Sequence, residues 1–352
     1  MGVNATLAQQ DDPRRQEYNH DAPLATWWRQ QSPGTYYWRC LLPARRLPGQ
    51  VLAFKWDDGV PQGDEIVWPR QKGAAIWQFP GNATTGTLMA GMQDDGIRVL
   101  MEMDDSYQHV PESGLNASWQ TDFDTSGVTD RHSFAAHREL AGWVDGIIVA
   151  TEPLADLYGE LNPNIWVCPN QIEPDDWPEP PEPDGVLRIG WGASHSHLVD
   201  APLMRRAFRW AADQPNVEVW VFGIGDVYRF GGGVKKAPWT DNLDDYRASL
   251  GRCDVMVCPL LETVWSRYKS DLKALEACMA GAWPIVSTAT PYKTWQDRTI
   301  TCTTAKDWEQ AIRWAVRHRD EIPALTAKAR EYVLGERTIE RNIHLWKDAI
   351  GC

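Results

Sequence analysis

Short unbroken apolar runs alternate with amphipathic stretches along most of the 352-residue chain, and this alternation predicts its elements. The opening MGVNATLAQQDDPRRQEYNHD is polar and predicts a disordered or loosely packed tail, taken as residues 1–30. An aromatic cluster (Trp27, Trp28, Tyr36, Tyr37, Trp38) leads into YYWRCLL, which reads as a first strand before a loop at 43–49 carrying Arg45 and Arg46. Apolar runs recur at 51–54, 65–68 and 74–79. A helix is predicted at 85–93, and the strand 97–103 ends in Asp104 and Asp105. A helix at 132–143, a strand at 146–150, a helix at 152–161 and a strand at 165–168 follow. Unbroken apolar strands separated by helices predict a parallel sheet covered on both faces.

The segment 173–185, EPDDWPEPPEPDG, interrupts the pattern with five prolines and six acidic residues, which neither a helix nor a central strand accepts. It reads as a stiff linker, assigned to 174–185, between a domain at 31–173 and one at 186–337. The second half repeats the grammar. A strand at 186–190, a glycine loop, a helix at 202–213 and a strand at 217–222 ending in Gly223-Ile224-Gly225 come first. A helix at 243–250, a strand at 254–259, a helix at 270–281 and a strand at 284–288 follow. Helices at 305–317 and 322–332 precede a last amphipathic helix, 338–350, with Ile339, Ile343, Trp346 and Ile350 on one face. The predicted class is α/β, with two doubly wound domains and a ligand crevice at the strand C-termini between them.

Composition adds limits. A net charge of −13 argues against a surface built throughout for nucleic acid. Locally, 29–72 reverses sign, with seven Lys/Arg against four acids among Trp and Tyr. That region suits either a polyanion with exposed bases or ion-paired residues at a strand edge. Seven scattered cysteines show neither metal spacing nor a disulfide framework and predict reduced, intracellular thiols in a cytoplasmic protein. No apolar run approaches the roughly 18 residues of a membrane span, and the N-terminus lacks a signal-peptide pattern. MGVNAT fits a myristoylation pattern only formally.

Candidate chemistry centres on the helix predicted at 270–281. At about 100° per residue, Leu272, Leu275 and Met279 form a core-facing stripe. Ser270, Lys273 and Glu276 form a polar row at three-residue spacing. A hydroxyl and an ammonium in the first turn suit an anion, and a carboxylate one turn on suits neutral hydroxyls. Phosphate beside a polyol is what a sugar nucleotide presents; the competing reading is a solvated helix face. In GWGASHSHLVD (190–200), two glycines after a strand let backbone N–H groups approach a diphosphate, and Ser194, His195, Ser196 and His197 add donors; a tight turn with two surface histidines is the alternative. His195, His197 and Asp200 have metal-ligand chemistry, but no further cluster completes a set, and no metal is assigned. Asp104 and Asp105 suit either orientation of a hydroxyl, with a base role, or a helix cap. His132 and His137 follow on the next helix.

Taken together these motifs resemble the retaining glycosyltransferases of GT-B architecture, a resemblance that also admits a phage-encoded member. Lys269, Ser270, Lys273, Glu276 and Gly281, then the strand 284–288, Pro291 and Tyr292 match a K-S-x-x-K-x-x-E signature. The 190–200 loop is similar to the G-W-G-x-S-x-S-H loop that opens the nucleotide-binding domain. MEMDDSY, GIIVATEPLADLY and VCPNQIEPDDW resemble the end of the N-terminal domain, so the likeness covers about 97–292. It implies two Rossmann-like domains, with the helix 338–350 crossing back onto the first. It also implies transfer of a sugar from an NDP-sugar, UDP- or GDP-linked, to an acceptor hydroxyl with retention and no required metal or other cofactor. By this resemblance Gly190, Gly192, Ala193, Ser194, His197, Lys269, Ser270 and Lys273 serve the donor, chiefly its diphosphate. Glu276 serves the ribose, and Gly223 and Gly225 border the base. Asp104, Asp105, His137 and Lys273 are the catalytic candidates; Trp38, Arg45 and Arg46 are the acceptor-side candidates. Two departures stand out: Tyr268 occupies the position where many members carry a first glutamate, and the usual arginine–lysine pair is absent unless Lys235 and Lys236 replace it. The acceptor is a saccharide or small molecule; the alternatives are a hydroxymethylated pyrimidine in DNA, or a non-catalytic protein that only binds the nucleotide sugar.

Overall fold

The computed structural model describes residues 23–29, 33–47, 50–55, 69, 73–78, 83–109, 134–180, 184–223, 230–240 and 242–352. It divides into two compact units, Met1–Asn170 with Ile339–Cys352, and Gln171–Thr338. Each is built on a six-stranded parallel sheet. The apolar run at 65–68 lies outside the described residues.

In unit 1 the chain runs through β1 (Pro23–Arg29), α1 (Pro33–Tyr36), a π-helical turn (Tyr37–Leu41), α2 (Leu42–Arg46), β2 (Gln50–Lys55) and β3 (Ala74–Gln78). It continues through α3 (Ala83–Asp94), β4 (Arg98–Met103), α4 (Phe134–Trp143), β5 (Gly146–Val149), α5 (Glu152–Gly159) and β6 (Ile165–Val167). The strand order is β2-β1-β3-β4-β5-β6. Two sequence expectations fail at its start. Residues 23–29, placed in the tail, form β1 between β2 and β3, and Trp27 is fully buried with its ring 6.3 Å from that of Trp346. YYWRCLL, read as a strand, is helical, as is most of the loop expected at 43–49.

Strand alternation would put Trp38 and Cys40 on the face opposite Tyr37 and Arg39. The π-helical turn instead buries all four consecutively, and so brings Arg39 to a counterion. Its Nε donates to Glu102 Oε1 at 2.6 Å, and its Nη1 donates to Cys168 O at 2.5 Å and to Asn170 Oδ1 at 3.2 Å. Gln78 Nε2 donates to the second Glu102 oxygen at 3.1 Å, and the Arg39 guanidinium lies 5.0 Å from the Trp346 ring. Trp346 belongs to the C-terminal helix Ile339–Ile350, which clusters with this unit.

Unit 2 contains β7 (Leu187–Ala193), α6 (Ala201–Ala212), β8 (Val217–Gly223), β9 (Val234–Pro238), α7 (Leu243–Leu250) and β10 (Val255–Cys258). Then come α8 (Leu272–Met279), β11 (Trp283–Ser287), β12 (Thr301–Cys302), α9 (Ala305–Arg317) and α10 (Ile322–Glu336). Its strand order β12-β11-β10-β7-β8-β9 is that of dinucleotide-binding sheets, with the reversal of direction between β7 and β10. Ile189 and Trp191 of β7 join Val219, Val255, Phe208 and Trp308 in one apolar core. The Pro/acidic stretch is held by this unit from its first residues. Trp177 is buried under the Arg247 guanidinium, and a Cβ on Gly281 (φ +84°) would strike the ring of Pro180. Among the described residues no helix is long and apolar enough to cross a membrane.

Candidate functional site

In a parallel sheet all strands end at one edge, and ligands gather where the strand order reverses. In unit 2 that edge carries the turn after β7 and the start of α8. The two glycines of GWG lie inside β7 rather than in a loop after it. Strand alternation turns Gly190 and Gly192 away from the Trp191 core. At Gly190 the reason is packing, since a Cβ would lie 2.5 Å from Cys253 Sγ and 2.6 Å from Met256 Sδ. Gly190→Ala is therefore expected to cost about 1–3 kcal/mol of stability by overpacking, read as a lower urea midpoint. A Cβ on Gly192 would meet nothing closer than 3.6 Å, with Tyr246 Oη at 3.8 Å, so this side of the strand end is less crowded.

The helix α8 is not a surface helix. Ala274 to Met279 are all buried, Glu276 among them at 5% exposure, while Leu272 of the predicted stripe is only half-buried. It starts two residues later than predicted, which leaves Ser270 in the preceding segment. Asp271 is its N-cap residue, its carbonyl accepting from Ala274 N at 2.9 Å, while its carboxylate is clamped by Arg337 (2.6 and 2.8 Å) and by Trp295 Nε1 at 2.9 Å. Lys273 and Glu276 keep their shared face. Lys273 Nζ donates to Gly192 O at 2.8 Å, tying α8 to the end of β7. Burial lowers the Lys273 pKa, and Glu276 opposes that shift. Glu276 Oε2 accepts from Tyr246 Oη on α7 at 2.8 Å, and burial first, then Glu276, drives the Tyr246 phenol well above its ordinary pKa. Lys269 lies just before α8, its ammonium 3.8 Å from the centroid of the buried Trp265 ring.

After β7, residues His195–Asp200 form a 3-10 turn. Ser194 is half-buried at its start, where its carbonyl accepts from His197 N at 3.0 Å. His197 is buried, and its Nδ1 meets Asp200 Oδ2 at 2.9 Å. Asp200 Oδ1 accepts from Leu261 N at 2.8 Å, which joins the segments following β7 and β10. Among the described residues no group of three or more His, Cys, Asp or Glu is arranged to hold a metal ion. Gly223 ends β8 with φ +97°, and a Cβ there would strike Ala193 O, so glycine is required. Gly225 lies outside the described residues. Beside Gly223 stands Trp239, 56% exposed, one residue past the end of β9. Lys235 and Lys236 are on edge strand β9, not in a loop; Lys235 is paired with Glu218 at 2.5 Å and stands over Trp220. Tyr268 is half-buried in a 3-10 turn, Ser266–Tyr268.

Sequence reasoning missed Tyr246, Trp239 and the bracing role of Asp200. Tyr246 meets Glu276 from 30 positions away, so no local spacing announces the pair. Trp239 was hidden by the failure to read VKKAP as a strand.

Unit 1 carries the remaining candidates. Asp104 is half-buried and Asp105 buried, its Oδ1 accepting from Ser106 N at 3.0 Å. His137 is buried with Nε2 at 2.9 Å from Tyr158 Oη. Tyr158 joins these groups: burial raises its pKa, and Asp105 and Asp104 raise it further. His132 lies outside the described residues. Trp38 is packed edge-on against Tyr37 at 4.6 Å and is buried, so it offers no exposed stacking face. Arg45 stands 5.5 Å from the Tyr37 ring and Arg46 is exposed. Arg39, one of the seven cations of the 29–72 region, is withdrawn into the pair with Glu102.

No protein-family model and no curated protein matches the sequence. Solved structures match its fold. Sucrose-phosphate synthase from Thermosynechococcus elongatus superposes with a TM-score of 0.63 and 12% identity, over 92% of this chain and 97% of that one. Anabaena HepE, in complex with UDP and glucose, does so with a TM-score of 0.61 and 10% identity, over 93% and 99%. An S. aureus TarM mutant in complex with fondaparinux, alpha-GlcNAc-glycerol and UDP gives 0.57 and 14%, over 80% of this chain but only 56% of that one. The two sheets of this chain are the Rossmann-like units of the GT-B glycosyltransferase fold.

Proposed function

We propose that the protein is a glycosyltransferase that moves a sugar from a UDP- or GDP-linked donor to an acceptor hydroxyl, with retention and without a required metal. The observation that carries this is the set Lys273–Gly192 O and Glu276–Tyr246 at the point where the unit 2 sheet reverses its strand order. In this reading Lys269, Ser270 and Lys273 meet the diphosphate and oppose the negative charge that grows on it as the sugar leaves. Glu276, buried and steadied by Tyr246, accepts from the ribose hydroxyls. The fold it shares with HepE, solved with UDP and glucose, supports the choice of donor class.

Thermal-shift titration with UDP, GDP and their sugar conjugates tests the reading. The donor nucleotide is expected to raise Tm with the logarithm of its concentration, and a flat response to all of them would overturn it. Trp239 is assigned to the base, because an exposed indole beside Gly223 offers a stacking face at the strand ends. Trp239→Ala is expected to weaken nucleotide binding by about 1–3 kcal/mol, the usual scale of base–aromatic stacking, with Trp239→Phe recovering part of it; calorimetry reads both. The proposed acceptor is a saccharide or small molecule. Retardation of duplex DNA in a gel at moderate salt would favour a DNA acceptor instead.

A further inference from the structure

Beside the two lysines of the candidate site, unit 2 buries an imidazole and a carboxylate against each other, at 7% and 1% exposure. Asp200 is fixed from both sides, one oxygen accepting from Leu261 N at 2.8 Å and the other meeting His197 Nδ1 at 2.9 Å. A carboxylate so placed selects the tautomer with hydrogen on Nδ1, which leaves Nε2 as the site for a further proton. We propose that His197 and Asp200 form a single proton-accepting pair that takes up one proton when a nucleoside diphosphate binds beside Lys269 and Lys273. The inference rests on the donor reading of unit 2.

The charges facing the pair define the effect. Lys273 comes from α8 and Lys269 from the segment before it, and both work against a positive imidazole. Tyr292, from the 3-10 turn Thr290–Trp295, faces Asp200 as a neutral phenol. Among the described residues, the arginines of β7 and α6 are not among the groups that shift either member of the pair. Arg188 of β7 is bonded to Asp184, Arg206 of α6 pairs with Glu309, and Arg205 and Arg209 are exposed. Burial lowers His197 well below its ordinary pKa, and burial pushes Asp200 up to about 7. Burial disfavours a proton on the imidazole but favours one on the carboxyl, whereas the two nearby ammonium groups oppose an added proton on either member of the pair.

An arriving diphosphate offsets the opposition of the ammonium groups. Its negative charge balances the lysines, and a proton from solvent settles on Nε2. The product is an imidazolium whose Nδ1–H remains donated to Asp200. No bond other than N–H forms, and the only co-reactant is a proton from water or buffer. The pair then presents a third positive group to the phosphates, and this group is charged only when they are present.

Calorimetric titration of the nucleotide selected by thermal shift, UDP or GDP, at pH 8 in Tris and in HEPES tests this on the intact protein. The apparent enthalpies are expected to differ between buffers by an amount equal to a fraction of one proton taken up. Affinity is expected to fall as pH rises, by up to about tenfold per pH unit when one full proton is linked. His197→Asn is expected to bind more weakly and to lose the buffer dependence. Identical enthalpies in the two buffers for the native protein would overturn the proposal without any variant. An undiminished buffer dependence in a folded His197→Asn protein would overturn it as well, by assigning the proton elsewhere. Binding without proton uptake leaves the donor reading standing, whereas absence of binding by both nucleotides defeats that reading and this proposal together.

Discussion

Lys273→Met is expected to lower kcat/KM for sugar transfer by about a hundredfold to a thousandfold, the usual cost of losing one preorganised charge at a developing anion. The side chain leaves α8 half-buried and ends against Gly192 O at 2.8 Å, so its position is set before any ligand arrives. Methionine keeps most of the stem and removes the charge. It also leaves the Gly192 carbonyl without this donor, at a cost of about 1–3 kcal/mol in stability. Folding and function are therefore read separately, by the urea midpoint and by the rise in Tm that UDP or GDP produces. The expected pattern is a modest loss of stability with a nearly complete loss of the nucleotide-dependent rise. Lys273→Arg keeps the charge and should retain a part of both. If Lys273→Met transferred sugar at the native rate while Glu276→Gln did not, the diphosphate would have to be assigned to other groups.

How far this site could be read from sequence depends on whether its contacts are local. Lys273 and Glu276 are three positions apart on one helix, and that spacing alone put an ammonium and a carboxylate on one face. Ser270 was drawn into the same row because periodicity does not mark where a helix begins. The N-cap is Asp271, whose carboxylate is held by Arg337 from 66 positions away and by Trp295, and the helix begins after it. The GWG glycines were read as a loop after the strand because glycine usually marks one; they lie inside β7, where Gly190 answers to the sulfurs of Cys253 and Met256. The alternation of apolar strands and helices recovered most of both sheets. It failed at VKKAP, where an edge strand carries two lysines in place of an apolar face. It failed also at YYWRCLL, whose aromatic run has strand propensity but whose arginine must reach Glu102, 63 positions along the chain. Tertiary pairing decided each of these, and no window of neighbouring residues contains it.

That arginine is expected to carry the largest single-residue effect on stability. At pH 8, where the Glu102 carboxyl is ionised, removing either partner of the Arg39–Glu102 pair should cost about 3–5 kcal/mol, since a buried charge would remain without its counterion. Both side chains are essentially inaccessible, at 1% and 0% exposure. Arg39 also holds Cys168 O and Asn170 and lies against Trp346, so its loss loosens the π-helical turn, the end of β6 and the C-terminal helix together. Arg39→Met with Glu102→Met should be far less costly than the sum of the single variants, because two apolar side chains leave no charge to solvate. Denaturant unfolding of the four proteins gives the coupling directly. The pair also has a pH signature. Burial raises the Glu102 carboxyl to about 7 from 4.5, against the Arg39 charge that holds it down. In the unfolded chain the carboxyl ionises earlier, so the contribution of Glu102 is fullest below its unfolded pKa and is lost as pH rises through the folded one. The stability difference between the native protein and Glu102→Gln should therefore shrink from pH 5 to pH 8. A difference that grew over this range would mean that the ion pair outweighs burial, with Glu102 charged throughout.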